Sequence, residues 1–256
     1  DGDMDILSAS NLDNTIAWYE NDGNANPSFT AANITTSALG PQSVYAADMD
    51  GDGDMDVLSA SYYDNTIAWY ENDGNANPSF TAATIATSAG GARSVYAADM
   101  DGDGDLDILS ASQNDDTIAW YENDGNADPT FAAADIATSA DGARSVYAAD
   151  VDGDGDMDIL SASMHDDTVA WYENDGNAEP SFTAADIATS ADGAYSVYAA
   201  DMDGDGDMDV LSASRFDDTI AWYENDGNAN PSFTAADIAT SADGAHSVYV
   251  ADMDGD

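Results

Sequence analysis

The sequence has no cysteine and no lysine, and it sets three arginines against 52 Asp and Glu, a formal net charge of −49 over 256 residues. Without cysteine, neither a disulfide framework nor a thiolate metal site can form. A surface this acidic repels nucleic-acid phosphates and anionic lipid, so both are excluded as electrostatic partners. No apolar run approaches the ~18 residues of a membrane-spanning helix. Sustained helical spacing is missing too, and Gly or Pro interrupts the chain too often for long helices. What is there is a composition for packing: 43% hydrophobic residues, five Trp and 13 Tyr, unlike a disordered acidic tract. Cations are the partner that the charge calls for.

The chain repeats. Trp18, Trp69, Trp120, Trp171 and Trp222 fall 51 residues apart, and so do Pro27, Pro78, Pro129, Pro180 and Pro231. A period near 50 with several short strands per copy is the signature of a propeller or solenoid. In the unit Ser94–Arg144, four extended runs alternate with turns. Strand a is Ser94–Ala98, and an Asp/Gly loop follows over Asp99–Asp107. Strand b is Asp107–Ala111, strand c Thr117–Glu122 and strand d Phe131–Thr138, with Asp124-Gly-Asn-Ala-Asp-Pro129 as the c–d turn. Such a sheet cannot bury both faces alone, and stacking copies face to face solves that. The expected fold is therefore all-β, a propeller of five four-stranded blades in a single domain, 1–256. Its repeats are 1–42 with 247–256, 43–93, 94–144, 145–195 and 196–246. The one Trp per repeat is expected between blades.

The sequence starts and stops inside the same Asp/Gly loop, so Asp1 and Asp256 share a repeat position. Pairing Ser247–Ala251, a strand a, with strands b, c and d of the first copy would close the ring and remove its exposed edges. The alternative expectation is an open array, or one linked between molecules.

The Asp/Gly loop carries the chemistry. Asp48, Asp50, Asp52 and Asp56 stand at loop positions 1, 3, 5 and 9, with Gly53 at 6 and Asp54 at 7. Alternate placement turns side chains toward one centre, glycine allows the sharp turn, and position 7 can offer a backbone carbonyl. An all-oxygen, carboxylate-rich set suits Ca²⁺ rather than Zn²⁺ or Cu²⁺. Like charges this close repel strongly without a cation among them. The pattern returns whole at Asp99, Asp101, Asp103, Asp105 and Asp107, at Asp150, Asp152, Asp154, Asp156 and Asp158, and at Asp201, Asp203, Asp205, Asp207 and Asp209. A fifth copy is split between Asp252, Asp254 and Asp256 at one end and Asp1, Asp3 and Asp5 at the other, giving about five expected Ca²⁺ sites. Position 12 is Ser59 rather than Glu and a strand follows, so the EF-hand reading fails.

The Asp-x-Asp-Gly-Asp-Gly-x-x-Asp loop between two short strands resembles the calcium loop of FG-GAP and VCBS repeats, the integrin-alpha-like propellers, and the resemblance spans all five copies. Ser59-Ala-Ser61, where FG-GAP repeats have Gly-Ala-Pro, is closer to the VCBS type. That family usually closes with more blades and longer repeats. The resemblance implies an extracellular adhesion or carbohydrate-binding module in which calcium is structural, and it includes fungal lectins that bind sugars between blades.

The copies differ mainly at two places. The b–c turn reads Asn11-Leu12, Tyr62-Tyr63, Gln113-Asn114, Met164-His165 and Arg215-Phe216; the position before strand a reads Gln42, Arg93, Arg144, Tyr195 and His246. Every Arg and His of the chain is among them. Strand alternation sends the a–b and c–d loops to one face and the b–c and d–a loops to the other, so the variable residues gather opposite the acidic loops. Their aromatic and basic composition suits polar or sugar contacts. Drift in exposed turns accounts for the variation equally well.

No nucleophile–base pair recurs at a useful spacing, so an enzyme is not expected. Asn33-Ile-Thr35 is a lone glycosylation sequon. Two functions follow as expectations: a secreted or cell-surface calcium-stabilised module for adhesion or recognition, its partner a glycan or another extracellular protein; or a building block of an extracellular fibre or surface layer, the split loop completed by a neighbouring unit. The lack of an initiator Met or leader fits a processed, mature segment.

Overall fold

The computed structural model describes residues 2–255. The first sheet holds β1 (Ile6–Ser10), β2 (Thr15–Asn21) and β3 (Phe29–Thr35). The second holds β4 (Pro41–Ala47), β5 (Asp56–Ser61), β6 (Thr66–Asn72) and β7 (Phe80–Ala86). The third is β8 (Ala92–Ala98), β9 (Asp107–Ser112), β10 (Thr117–Asn123) and β11 (Phe131–Ala137). The fourth is β12 (Ala143–Ala149), β13 (Asp158–Ser163), β14 (Thr168–Asn174) and β15 (Phe182–Ala188). The fifth is β16 (Ala194–Ala200), β17 (Asp209–Ser214), β18 (Thr219–Asn225) and β19 (Phe233–Ala239). All pairings are antiparallel and sequential, and every sheet repeats one register, with a bulge between strands c and d, as at Ile118/Ala119. Among the described residues no helix is long and apolar enough to cross a membrane.

In the second to fifth sheets strand b is covered on both faces, which is why the residues after its leading Asp are apolar or small throughout. Every residue of β5, β9, β13 and β17 is buried. Trp69, Trp120 and Trp171 are buried, and the first two meet the Phe of the following sheet edge-on, Phe131 at 6.3 Å and Phe182 at 6.2 Å between ring centres. The tryptophans are thus inter-sheet core, as their spacing required. Small residues on the inner strands let neighbours approach. Val95, Val146 and Val197 each donate a backbone N–H to the serine hydroxyl of the preceding inner strand, at 3.3–3.4 Å. Beside them Tyr45, Tyr96, Tyr147 and Tyr198 form a ladder of rings 4.7–4.8 Å apart.

The ring is not closed. The first sheet has three strands, and β1 is its edge. Residues 247–251 are not a strand. They continue the row instead: Val248 donates to Ser196 Oγ at 3.3 Å, and Tyr249 adds a ring to the ladder, 5.1 Å from Tyr198 yet 75% exposed. The expected fifth four-stranded blade is therefore absent among the described residues. Each observed sheet zips hairpin by hairpin, whereas closure pairs segments from opposite ends of the chain and carries the largest loop entropy. The end sheets show the consequence: Trp18 and Trp222 are only half-buried.

Candidate metal loops and the variable face

In each complete loop the structure gathers the carboxylates at positions 1, 3 and 5. One oxygen from each of Asp48, Asp50 and Asp52 lies within 4.8 Å of the others, and the same holds for Asp99, Asp101 and Asp103, for Asp150, Asp152 and Asp154, and for Asp201, Asp203 and Asp205. Short hydrogen bonds build the turn: Asp52 N donates to Asp50 Oδ1 at 3.2 Å, Gly53 N to Asp48 Oδ2 at 3.0 Å and Asp54 N to Asp52 Oδ1 at 2.9 Å. Gly51 and Gly53 sit at φ of 73° and 96°, where a side chain is strained.

This donor set fits a hard cation. Asp48 Oδ1 and Asp150 Oδ1 are buried without a hydrogen-bond donor and are free to meet a cation, whereas their counterparts Asp99 Oδ1 and Asp201 Oδ1 accept the Gly102 and Gly204 amides at 2.8 and 2.7 Å. Burial, and then the neighbouring carboxylates, push the Asp50, Asp101 and Asp152 carboxyls above their ordinary range. An ion among them would remove both penalties.

Positions 7 and 9 are placed differently. Asp54 lies across Gly74 of the c–d turn, where any Cβ would collide with its carboxylate, and Asp105, Asp156 and Asp207 do the same over Gly125, Gly176 and Gly227. Asp56, Asp107, Asp158 and Asp209 are 1% exposed. Asp107 Oδ2 accepts from Met100 N at 3.0 Å and its Oδ1 from Asn123 N at 2.7 Å, so it pins the loop to strand c. Burial drives the Asp107 and Asp158 carboxyls up to about 6, against the pull of the amides on them. Sequence reasoning missed the asparagine beside this strut. Asn123 Nδ2 reaches back to the Met49 carbonyl of the preceding loop at 2.9 Å, and Asn174 to Met100 and Asn225 to Val151 likewise, so the first three complete loops are each braced by the next sheet. The recurring Glu-Asn-Asp-Gly stretch was the available signal, but read as a turn alone.

Among the described residues the two halves of the split fifth loop are placed apart from any carboxylate cluster. Asp5 Oδ2 accepts from Trp18 Nε1 at 2.8 Å and its Oδ1 from Asn21 N at 2.8 Å, the position-9 strut, and Asp3 lies against Gly23. Asp252 accepts from Gly255 N at 2.6 Å and Asp254 N at 3.3 Å. No cluster forms from these residues among those described; Asp1 and Asp256 lie outside the described residues.

On the opposite face the d–a loops thread between successive b–c turns. Gly91 N donates to Asn65 Oδ1 at 2.8 Å, Gly90 N to Asp115 Oδ2 at 2.7 Å, and the Tyr62 amide to the Gly40 carbonyl at 3.0 Å. The second variable residue of four of the five turns lies over a d–a glycine: Tyr63 over Gly40, Asn114 over Gly91, His165 over Gly142 and Phe216 over Gly193. His165 Nδ1 also lies 3.1 Å from Asp141 Oδ1.

The other variable residues interlock into one row. Arg93 donates Nη1 to Gln42 Oε1 at 2.8 Å and Nε to Gln113 Oε1 at 2.7 Å, and stacks 4.0 Å from the centre of the Tyr62 ring. Arg144 donates to the Tyr195 hydroxyl at 3.1 Å, contacts Met164 Sδ at 3.2 Å and lies 4.6 Å from the Tyr195 ring centre. Arg215 lies 6.0 Å from that ring and 5.8 Å from Phe216. His246 stacks on Tyr195 at 4.3 Å and 6°, and burial followed by the charges of Arg215 and Arg144 holds its pKa down. Elsewhere, a groove of about 420 Å³ opens between the second and third sheets, lined among others by Ile85, Asp115, Tyr121 and Asp135. Asn33 is exposed on the outer strand β3.

Fold and site together define an all-β protein of tandem blades, each with an acidic oxygen-donor loop. The chain belongs to the FG-GAP-like repeat family, which matches at residues 1–59, 48–110, 99–161, 151–212 and 203–256. Among solved structures the chain is similar to the V. cholerae biofilm matrix protein Bap1, with a TM-score of 0.52 and 18% identity over 95% of this chain and 40% of that one. It is also similar to the exotype rhamnogalacturonan lyase YesX, with a TM-score of 0.46 and 12% identity over 91% of this chain and 56% of that one. The chain thus spans about half the length, or less, of these structures. No curated protein matches it.

Proposed function

We propose that the protein is an extracellular, non-enzymatic adhesion or recognition module in which calcium organises one face and the variable residues read a glycan or protein partner on the other. The observation that carries this reading is the row from Gln42 to His246. Its residues differ in nearly every copy, yet they contact one another across sheets through Arg–ring stacking and side-chain hydrogen bonds. Drift in independent turns has no reason to produce side chains that fit together. The loops support the calcium assignment through their donor chemistry: Asp48, Asp50 and Asp52, with their counterparts in the next three repeats, would hold the ions, whose charge neutralises the carboxylates and fixes the turns. Modules of this kind use calcium at roughly 10⁻⁴–10⁻³ M, an extracellular level, which together with the family supports secretion. Similarity in fold to a biofilm matrix protein is consistent with that setting.

A glycan array probed in calcium tests the reading. Binding should be lost when the row is altered, and a footprint on the acidic loops would remove the proposed division of the two faces. The unpaired edge of β1 favours a second reading, a building block of an extracellular fibre or surface layer. Size measured in calcium and then in chelator separates them: a monomer in both argues against the building block.

A further inference from the structure

In a chain with 52 acids, three arginines would be expected to find carboxylates. They do not. Among the described residues the one ion pair is His165 with Asp141, and no Asp or Glu pairs with Arg93, Arg144 or Arg215. The carboxylates of the same face are engaged elsewhere: Asp115, Asp166 and Asp217 accept the d–a loop amides of Gly90, Asp141 and Asp192. The arginines instead sit on aromatic rings along one row: Arg144 and Arg215 share Tyr195, 4.6 and 6.0 Å from its ring centre, and Arg93 stacks on Tyr62 at 4.0 Å. Arg144 stands between the other two and is 9% exposed, its Nε buried without an acceptor. Burial first, then the charges of Arg93 and Arg215, weakens its hold on its proton. Grouping like charges around a nearly buried guanidinium costs free energy, and a bound anionic group would recover it.

We propose that the row Arg93–Arg144–Arg215 binds the acidic groups, carboxylate or sulfate, of an extended saccharide. This rests on the recognition reading above and names its ligand class. The three guanidiniums come from consecutive sheets, Arg93 on β8, Arg144 on β12 and Arg215 in the turn after β17, so the site is a line rather than a pocket, and a line suits a chain. Tyr62 and Tyr195 hold the guanidinium planes, while Tyr63 and Phe216, 64% and 56% exposed, offer ring faces to sugar rings. The bulk charge of −49 selects rather than forbids. Exposed charges act over about 8 Å at physiological ionic strength, so a sparsely charged saccharide feels the row, while the dense phosphates of nucleic acid feel the whole surface.

The test is calorimetric titration of the full chain in saturating calcium with five probes: galacturonate trisaccharide, a sulfated trisaccharide, the neutral galactose trisaccharide, a polyglutamate peptide and single-stranded DNA. Trisaccharides are used because they are too short to bridge molecules through calcium. At least one acidic trisaccharide should bind about tenfold or more tightly than the neutral one. Arg93→Gln and Arg215→Gln should each weaken that binding about tenfold, the loss of one charge-assisted contact. Asp128→Asn, in an exposed c–d turn on the far face, should leave it unchanged. Melting curves confirm that the variants fold, and Arg215, being exposed, keeps the test open if Arg93 does not tolerate exchange. Equal binding of the neutral trisaccharide, lost in Tyr62→Ala, would overturn the acidic ligand while leaving recognition at this face. Preference for polyglutamate or DNA would overturn the saccharide. Binding that follows Asp50→Asn and ignores the arginines would show calcium bridging and overturn the proposal. Binding of no probe would overturn the acidic saccharide, while the glycan array decides the recognition reading separately.

Discussion

The two faces of the molecule obey different rules. On the acidic face the loops are near copies, because every position has a fixed job. Positions 1, 3 and 5 converge, position 7 covers a c–d glycine, and position 9 is a buried strut with two amide partners. Changing any of them leaves a charge or a donor unpaired. On the other face the conserved parts are as constrained: Asn65, Asp116, Asp167 and Asp218 adopt φ near 60° and take the d–a amides. The variable residues hang from that frame and answer only to their neighbours in the row. Identity between repeats therefore marks backbone and charge constraints, and difference marks freedom that a ligand can use.

The largest effect expected from breaking this comparison is loss of calcium. Each site contributes about 2.7 kcal/mol at a hundredfold excess of calcium over its Kd, and several sites add. At roughly 2–4 °C per kcal/mol for a chain of this size, chelation should lower Tm by more than about 10 °C. An unchanged melting curve in excess EDTA would contradict the assignment. Next comes the strut. Asp107→Ala strands the Met100 and Asn123 amides in a buried place and should cost about 2–4 kcal/mol by denaturant unfolding, while Asn114→Ser, across the molecule, should stay within about 0.5 kcal/mol. Gly125→Ala and Gly142→Ala sharpen the point, since both faces hold such glycines. Each puts a Cβ into Asp105 or His165 at φ of 65° or 72° and should cost about 1–3 kcal/mol. Equal tolerance at Gly142 and Asn114 would erase the distinction between frame and variable residue.

The smallest effect is in acid. Hydrogen bonds from Thr130, then Asn126, hold the exposed Asp124 carboxyl down to about 2, and Ser181 and Ser232 do likewise for Asp175 and Asp226. A lowered folded pKa adds stability that is present above the unfolded pKa near 4 and is lost as pH falls toward 2. Asp124→Asn should flatten that part of the stability–pH curve slightly, and an unchanged slope would count against the turn.

Much of this is legible in the sequence itself. The Trp period fixed sheet number and inter-sheet packing, and strand alternation put Asp54 beside Gly74 and Tyr62 beside Gly40. The strands of the Ser94–Arg144 unit came within about two residues of those observed, as expected of strands bounded by Gly, Pro and Asp. Contacts between repeats were not readable. The bracing of Met49 by Asn123 and the pairing of Arg93 with Gln42 depend on how far one sheet is rotated on the next, which no local pattern encodes. Closure failed as an expectation for the same reason, since it too depends on accumulated rotation. Loop positions 7 and 9 were read with the ligands because spacing shows which side chains alternate, not which of them meet a backbone amide.

Amide hydrogen exchange with and without calcium tests the division of the faces most directly. Calcium alone should slow exchange in the loops 48–56, 99–107, 150–158 and 201–209 and in the c–d turns beside them, and should leave the d–a loops 88–91, 139–142 and 190–193 as they were. Slowing of both faces alike, or of the d–a loops only, would contradict it.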